Sequence, residues 1–386
     1  MKLLYISSPF FADCDFPLIK SFQNKGLDVT YLILLPCFAL RSTLVDIKKQ
    51  IQKTGIFSAT EYSEFKQYAN YMDMSKVYVS NRINQKRYSL SYIKENYLLW
   101  RFIQEGRFDI VHYDSYFAGI RRHYYRLNNH WITTFHDPFP HTGEERGNFR
   151  KRYQCAIDGS NGYVLLNENQ KEQFCKTYNI DPNKVLINRL GVYDNVRSFV
   201  RPGTELFSNN ILFFGRISPY KGIEYLCEAM KSVRESIPDA TLTIAGGGKM
   251  YFDIEPYKQL GYIEVRNHYI GMEELAELLS RCTLSVCPYT DATQSGVIMT
   301  SFAMGKPVVA TNVGGLGEMI DEGKSGLLVP PKDPQALAKA IIALLEDNAR
   351  LSSMSEYIRQ KYEHGDWSWN AIADKYIKYY KTILES

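Results

Sequence analysis

The stretch Phe213-Phe214-Gly215-Arg216-Ile217-Ser218-Pro219-Tyr220-Lys221-Gly222-Ile223-Glu224 holds the side chains best placed to do chemistry. An apolar strand over Ile211–Phe214 runs into Gly215, and a loop carrying Arg216 and Lys221 leads to a helix opened by Gly222. Gly215 tolerates the bend that ends the strand, and Gly222 leaves room at the helix start. Arg216 offers a planar fork of donors and Lys221 a compact charge. Beyond the carboxyl end of a strand in an open α/β sheet, both point into the crevice where ligands bind. Two cations there suit a diphosphate better than a neutral ligand. Alone, the pattern would read as a solvated loop with two surface cations.

Two further loops shift that balance. Tyr289–Thr300 again follows a strand and opens a helix. Small residues at Ser295 and Gly296 let backbone N–H groups at a helix N-terminus face an anion, reinforced by the helix dipole and the Ser295 hydroxyl. By itself such a turn is usually a structural N-cap. With Arg216 and Lys221 one strand unit away, it completes a diphosphate pocket. Thr311-Asn312-Val313-Gly314-Gly315-Leu316-Gly317-Glu318 is a flexible strand-to-helix loop, but it departs from the G-x-G-x-x-G dinucleotide fingerprint.

These loops occur in a set order: Gly-Arg-x4-Lys-Gly, Asn267-His268-Tyr269-Ile270, Asp291–Val297, Ala303-Met304-Gly305-Lys306-Pro307-Val308-Val309-Ala310-Thr311, Gly314-Gly315-x-x-Glu318 and Gly326-Leu327-Leu328-Val329. In this the chain resembles the retaining glycosyltransferases of family four, over about residues 211–346 and more loosely over 131–195. The resemblance implies the α/β GT-B fold, two Rossmann-like doubly wound domains facing across a cleft. It implies that Arg216 and Lys221 hold the donor's diphosphate and stabilise its charge as the sugar leaves, without a metal ion or other cofactor. Gln294, Ser295, Gly296 and Val297 fall on the loop whose amides touch phosphate and donor sugar, and Tyr269 and Ile270 where the nucleotide base lies. The family often carries Glu-x7-Glu across this loop; here the matching positions are Ala292 and Thr300. Thr300 would grip the ribose hydroxyls more weakly than a glutamate, and Asp291, one residue off, would substitute at the sugar.

In the first half, Thr134–Glu144 follows a strand, and the resemblance puts His136 near the donor sugar. Asp137 is a candidate orienter of that imidazole. His141 reads better as a loop histidine bonded to backbone. Asn167 is about equally a cleft residue and a helix N-cap. Asp13-Cys14-Asp15 resembles a D-x-D metal motif, but nothing nearby supplies further hard ligands. Asp13 and Asp15 are instead candidates for acceptor hydroxyls.

The elements that must position these residues alternate strand-like runs with helical periodicity, the pattern of parallel sheets covered by helices. Strands are expected near Leu3–Ser7, Val29–Leu35, Ile110–Tyr113, Trp131–Phe135, Tyr163–Leu166 and Val185–Ile187, with helices and loops over residues 41–92. In the second half, strands are expected at Ile211–Phe214, Thr241–Ala245, Tyr262–Val265, Leu284–Cys287 and Pro307–Ala310. The 386 residues suggest two domains: 1–195, joined by an aromatic amphipathic helix at 366–386, and 210–365, with a linker over 194–210. A net charge of +4 does not argue for nucleic acid. Seven scattered cysteines without a C-x-x-C pair read as reduced thiols of a cytoplasmic protein. The longest apolar run, Tyr31–Leu40, contains Pro36 and is too short to span a bilayer. The runs Arg121–Arg126 and Arg150–Arg152 read first as solvated helix faces, with docking on an anionic membrane as the alternative.

The reading that results is a retaining glycosyltransferase moving a hexose or N-acetylhexosamine from a nucleotide sugar to a glycan or polyprenyl-linked acceptor. The resemblance sets it in capsule, O-antigen (lipopolysaccharide) or exopolysaccharide synthesis, at the inner face of the plasma membrane. Two alternatives stay open: a nucleotide-sugar epimerase of the same fold, and a catalytically silent nucleotide-sugar binder.

Overall fold

The structure, a computed structural model, describes residues 1–385 apart from 37–39, 42–44, 48–51, 85, 87, 116–118, 128, 137, 140–148, 167, 202, 204–208 and 293. The chain divides into two compact units, Met1–Leu190 with Trp369–Ser386, and Gly191–Ser368.

The first unit is built on an eight-stranded sheet: β1 Lys2–Ser7, β2 Asp28–Leu34, β3 Gly55–Ser58, β4 Val77–Asn81, β5 Ile110–Tyr113, β6 His130–Phe135, β7 Gly162–Leu165 and β8 Val185–Ile187. Their order is β8-β7-β6-β5-β1-β2-β4-β3. Every pairing is parallel except β3 with β4, where Gly55 faces Asn81. Strands buried on both faces need near-continuous apolar runs, as in Leu3-Leu4-Tyr5-Ile6, where no residue exceeds 2% exposure. Residues 41–92 thus contain strands where helices and loops were expected. β3 and β4 are short, and β3 is an edge strand with only partial burial, so its pattern does not alternate cleanly.

The second unit carries six parallel strands: β9 Asn210–Phe214, β10 Thr241–Ala245, β11 Ile263–Arg266, β12 Leu284–Cys287, β13 Val308–Thr311 and β14 Gly326–Val329, in the order β11-β10-β9-β12-β13-β14. Each sheet has one place where the strand order reverses: between β5 and β1, and between β9 and β12. Chains leave the two strands there toward opposite faces, which opens a crevice beyond their carboxyl ends.

Five helices matter below: α1 Ala12–Asn24, α2 Leu90–Gly106, α3 Ile223–Ser236, α4 Gly296–Ala303 and α5 Trp369–Glu385. α5 belongs to the first unit. Its Tyr379 hydroxyl accepts from the Tyr163 N–H at 2.9 Å and donates to the Lys184 carbonyl at 2.6 Å. Tyr376 and Tyr380 pack on Phe22 of α1, and Lys25 pairs with Asp374 at 2.7 Å. The first part of the segment expected to be a linker folds with the second unit instead. Asp194–Phe199 forms a 3-10 helix with Asn195 and Val196 buried, and Arg197 donates to the Ala303 carbonyl at the end of α4. Polar composition hid this, because Val196 is the one apolar side chain buried in that turn. Among the described residues no helix is long and apolar enough to cross a membrane.

Candidate functional site

In the second unit, the loops following β9, β10 and β12 are stitched together by backbone. The Gly215 N–H donates to the Ala245 carbonyl at 2.9 Å, and the Ile217 N–H to that of Gly247 at 3.1 Å. A Cβ on Gly246 would sit 1.8 Å from the Gly215 oxygen, at a φ of +156° that side chains avoid. Likewise a Cβ on Gly222 would stand 2.1 Å from the Pro288 oxygen, and the Thr290 N–H donates to the Tyr220 carbonyl at 2.8 Å. These glycines are requirements of close backbone approach, and they place Arg216 and Lys221 beside the residues that follow β12.

Lys221 is 9% exposed and its ammonium lies 3.5 Å from the centre of the Tyr289 ring and 4.9 Å from that of Tyr220. No carboxylate pairs with Lys221 or Arg216 among the described residues. Burial pulls the Lys221 ammonium down to about 8, with the nearby Arg216 charge adding to the shift and Cys287 opposing it. Arg216 is exposed. Among the described residues this buried cation is faced by aromatic rings, a thiol and a second cation, and an anion would complete it.

Ser295 is buried, with its hydroxyl 3.4 Å from that of Tyr289, and its N–H points at the Met319 sulfur, a weak acceptor, at 3.3 Å. Gly296 and Val297 open α4, and Gln294 is half-buried just before it. Asp291 is likewise half-buried, and Ala292 accepts from the Gly315 N–H at 3.1 Å. The Thr300 hydroxyl donates to the Gly296 carbonyl one turn earlier at 2.8 Å, so only its lone pairs remain to accept from a ribose hydroxyl. Tyr269 and Ile270 are half-buried, and the segment they belong to lies against the loop after β10, with the Gly248 N–H donating to Asn267 at 3.2 Å.

The first unit brings a different set together at its own reversal point. Asp114 is the first residue past β5, and its N–H donates to the Ile6 carbonyl at 2.8 Å. Its Oδ1 meets His136 Nε2 at 2.9 Å, just past β6. A carboxylate only accepts, so Nε2 carries the proton. The imidazole stacks on Phe11, with centroids 3.8 Å apart and planes 10° from parallel. Asp15, a candidate for acceptor hydroxyls, lies inside α1 at 1% exposure, accepting from the Tyr5 hydroxyl at 3.2 Å and that of Tyr31 at 3.0 Å. It is therefore sealed away from any acceptor sugar. Burial, then the neighbouring Asp114 charge, pushes Asp15 well above the usual carboxylate range. Burial works against Asp114 too, but His136 outweighs it and holds that carboxyl low. Of the two carboxyls, Asp15 therefore takes up a proton more readily than Asp114. Asp13, also within α1, is half-buried.

Behind this pair, His112 is pulled down to about 4 by burial and is neutral, with Nδ1 2.5 Å from the Tyr380 hydroxyl and Nε2 2.7 Å from that of Thr134. Cys14, Asp15 and Asp114 bring one sulfur and two carboxyls within 4.8 Å of one another. Burial raises the Cys14 thiol, which donates to the Phe11 carbonyl. A cavity of about 20 Å³, room for a water, touches Asp15, Asp114, His136 and Arg189. Asp137, His141 and Asn167 lie outside the described residues. Asp114 went unnoticed in the sequence; its position directly after a strand, twenty-two residues before His136, was the available signal.

Comparison with known proteins gives a consistent result. The family described as "Glycosyl transferases group 1" matches residues 208–347, and "Glycosyltransferase Family 4" matches 58–194. An uncharacterised glycosyltransferase of Methanocaldococcus jannaschii is 30% identical over 239 residues, 58% of this chain and 60% of that protein. The chain spans about half the length of the curated relatives it matches. The crystal structure of a glycosyltransferase from Rickettsia africae superposes with a TM-score of 0.69 at 18% identity, covering 100% of this chain and 99% of that one. Anabaena HepE, crystallised with UDP, gives 0.65 at 15% identity over 99% and 100%. Likeness at such identities shows the fold: two parallel-sheet units of the GT-B type.

Proposed function

This chain belongs to the family-four glycosyltransferases of the GT-B fold, and from that premise we propose that it transfers a hexose or N-acetylhexosamine from a nucleoside-diphosphate sugar, with retention of configuration, to a glycan or lipid-linked glycan. Lys221 carries the reading: a buried ammonium without a carboxylate partner among the described residues, beside the exposed Arg216. As the bond between anomeric carbon and phosphate oxygen breaks, negative charge gathers on the departing diphosphate. Fixed cations aimed at that charge lower the barrier and make a metal ion unnecessary. Gln294, Ser295, Gly296 and Val297 take the phosphate and donor sugar; Tyr269, Ile270 and Thr300 take the nucleoside. The UDP seen in Anabaena HepE supports a uridine nucleotide as the first donor to try.

His136 serves the sugar end. Asp114 fixes its tautomer and Phe11 its plane, so its ring is held in one orientation against the charge that develops at the reacting carbon. The setting is surface-polysaccharide assembly at the cytoplasmic face of the plasma membrane.

The test is donor turnover and nucleotide binding in Arg216→Ala and Lys221→Ala. Both are expected to lose transfer and bind nucleoside diphosphate more weakly. Wild-type turnover in either would overturn the site, and binding without turnover across a broad acceptor panel would make the chain a silent nucleotide-sugar binder.

A further inference from the structure

We infer that the outward face of α2 is a docking surface for an anionic lipid bilayer. The inference rests on the lipid-linked acceptor of the proposed function for its setting, and on the following geometry for its place. Leu90, Ile93, Tyr97 and Trp100 are 86%, 54%, 56% and 42% exposed. Their spacing of three, four and three residues puts them in one stripe along the helix. Of eleven large hydrophobic residues exposed among the described ones, six fall between Ile83 and Trp100. Scattered apolar residues need no explanation, but a cluster of this kind marks an interaction site.

The stripe is not a core face turned out by loose packing. On its other side, α2 buries Tyr92, Leu99 and Ile103, and Ser89 caps its first turn by accepting from the Tyr92 N–H at 3.2 Å. Glu95, 2% exposed, is held by Arg121 at 2.6 Å and Arg82 at 3.6 Å. Arg121 is therefore an internal tie, not a docking cation. The helix is fixed with its apolar stripe facing solvent.

Charge identifies the occupant. Lys94 and Arg101 are exposed on the same helix, with Lys86 before it and Arg107 after it. Arg122 and Arg126 are exposed on the 3-10 helix that packs on α2 through the Tyr124–Asn96 hydrogen bond of 2.8 Å. Glu105 is the exposed acid of α2 and is paired with Arg101. Aromatic and aliphatic side chains rimmed by lysine and arginine suit the boundary between anionic headgroups and acyl chains. A second copy of the chain would instead bring Lys94 and Arg101 against their own like charges.

The experiment is co-sedimentation of the full chain with vesicles of phosphatidylcholine containing about 30% phosphatidylglycerol, and with phosphatidylcholine alone. The wild type is expected to partition to the anionic vesicles. Leu90→Ser with Trp100→Ser, and separately Lys94→Glu with Arg101→Glu, are expected to weaken this at least about tenfold. Unchanged melting temperatures would show that the variants are folded. A wild type that ignores anionic vesicles, or variants that partition equally well, would overturn the inference. So would a concentration-dependent dimer that Leu90→Ser with Trp100→Ser disperses, since the face would then join two copies. Donor turnover on a soluble acceptor is read separately and should stay unchanged in both variants. Its absence in the wild type with vesicle binding intact would sink the transfer reading and leave the surface standing.

Discussion

The two units solve the same topological problem in opposite ways. Each gathers polar side chains where its strand order reverses, yet the first satisfies them internally and the second does not. Asp15, Asp114, His136 and His112 all have hydrogen-bond partners within the first unit. Lys221 and Arg216 have no carboxylate among the described residues, and burial has already pulled the ammonium toward neutrality. A closed network of hydrogen bonds sets orientation, whereas an uncompensated buried charge sets affinity. On the proposed function, the first unit serves to place one imidazole and the second to receive an anion.

That contrast can be broken or sharpened by measurement. The largest effect is expected from Lys221→Ala: a loss of about 10²–10³ in transfer rate together with weaker nucleoside-diphosphate binding. Asp114→Asn should lower kcat on the order of 10² by releasing His136, while nucleotide affinity, measured by titration calorimetry, stays at the wild-type value. Asp15→Asn imitates the protonated acid that burial favours and should be far milder; equal damage from both asparagines would show that the two carboxyls do not differ in this way.

The pH dependence follows from Lys221. Its folded value of about 8 lies below its ordinary 10.5, so between the two the unfolded chain holds a proton that the folded chain has released. Stability of the ligand-free protein therefore gains from Lys221 as pH rises through that window, and lacks that gain below about 8. Diphosphate binding needs the charged ammonium and should fall by up to about tenfold per pH unit above that value. The two trends run in opposite directions, and Lys221→Met should remove both. The smallest effect is Tyr379→Phe, which deletes two hydrogen bonds holding α5 and should cost the first unit about 1–3 kcal/mol in a denaturant melt, with the second unit unmoved.

The second unit was largely legible in the sequence because strands such as β9, β12 and β13 are near-continuous apolar runs and its glycines mark obligatory contacts. Gly222 and Gly246 are there because another carbonyl occupies the space of a side chain. The first unit was less legible, since its polar centre is assembled from residues distant in the chain. Asp114 and His136 meet only once β5 and β6 lie side by side, and nothing local to Asp114 announces the pairing. Asp15 was read as a candidate for acceptor hydroxyls because acidic residues rarely vanish into a helix; it does so here because two tyrosines supply hydroxyls and burial favours its uncharged form. Thr300 was read from its position in the loop, but its hydroxyl turned back onto its own helix.

One consequence concerns synthesis. The second unit is a continuous stretch, Gly191–Ser368, while the first needs α5, which is translated after all of it. As the nascent chain emerges, the sheet of β1 to β8 must wait, with the Phe22 side chain and the Tyr163 amide uncovered, until Tyr376, Tyr379 and Tyr380 leave the ribosome. The later-made half is therefore able to fold first, and chaperones would be expected to engage the amino-terminal half during that interval.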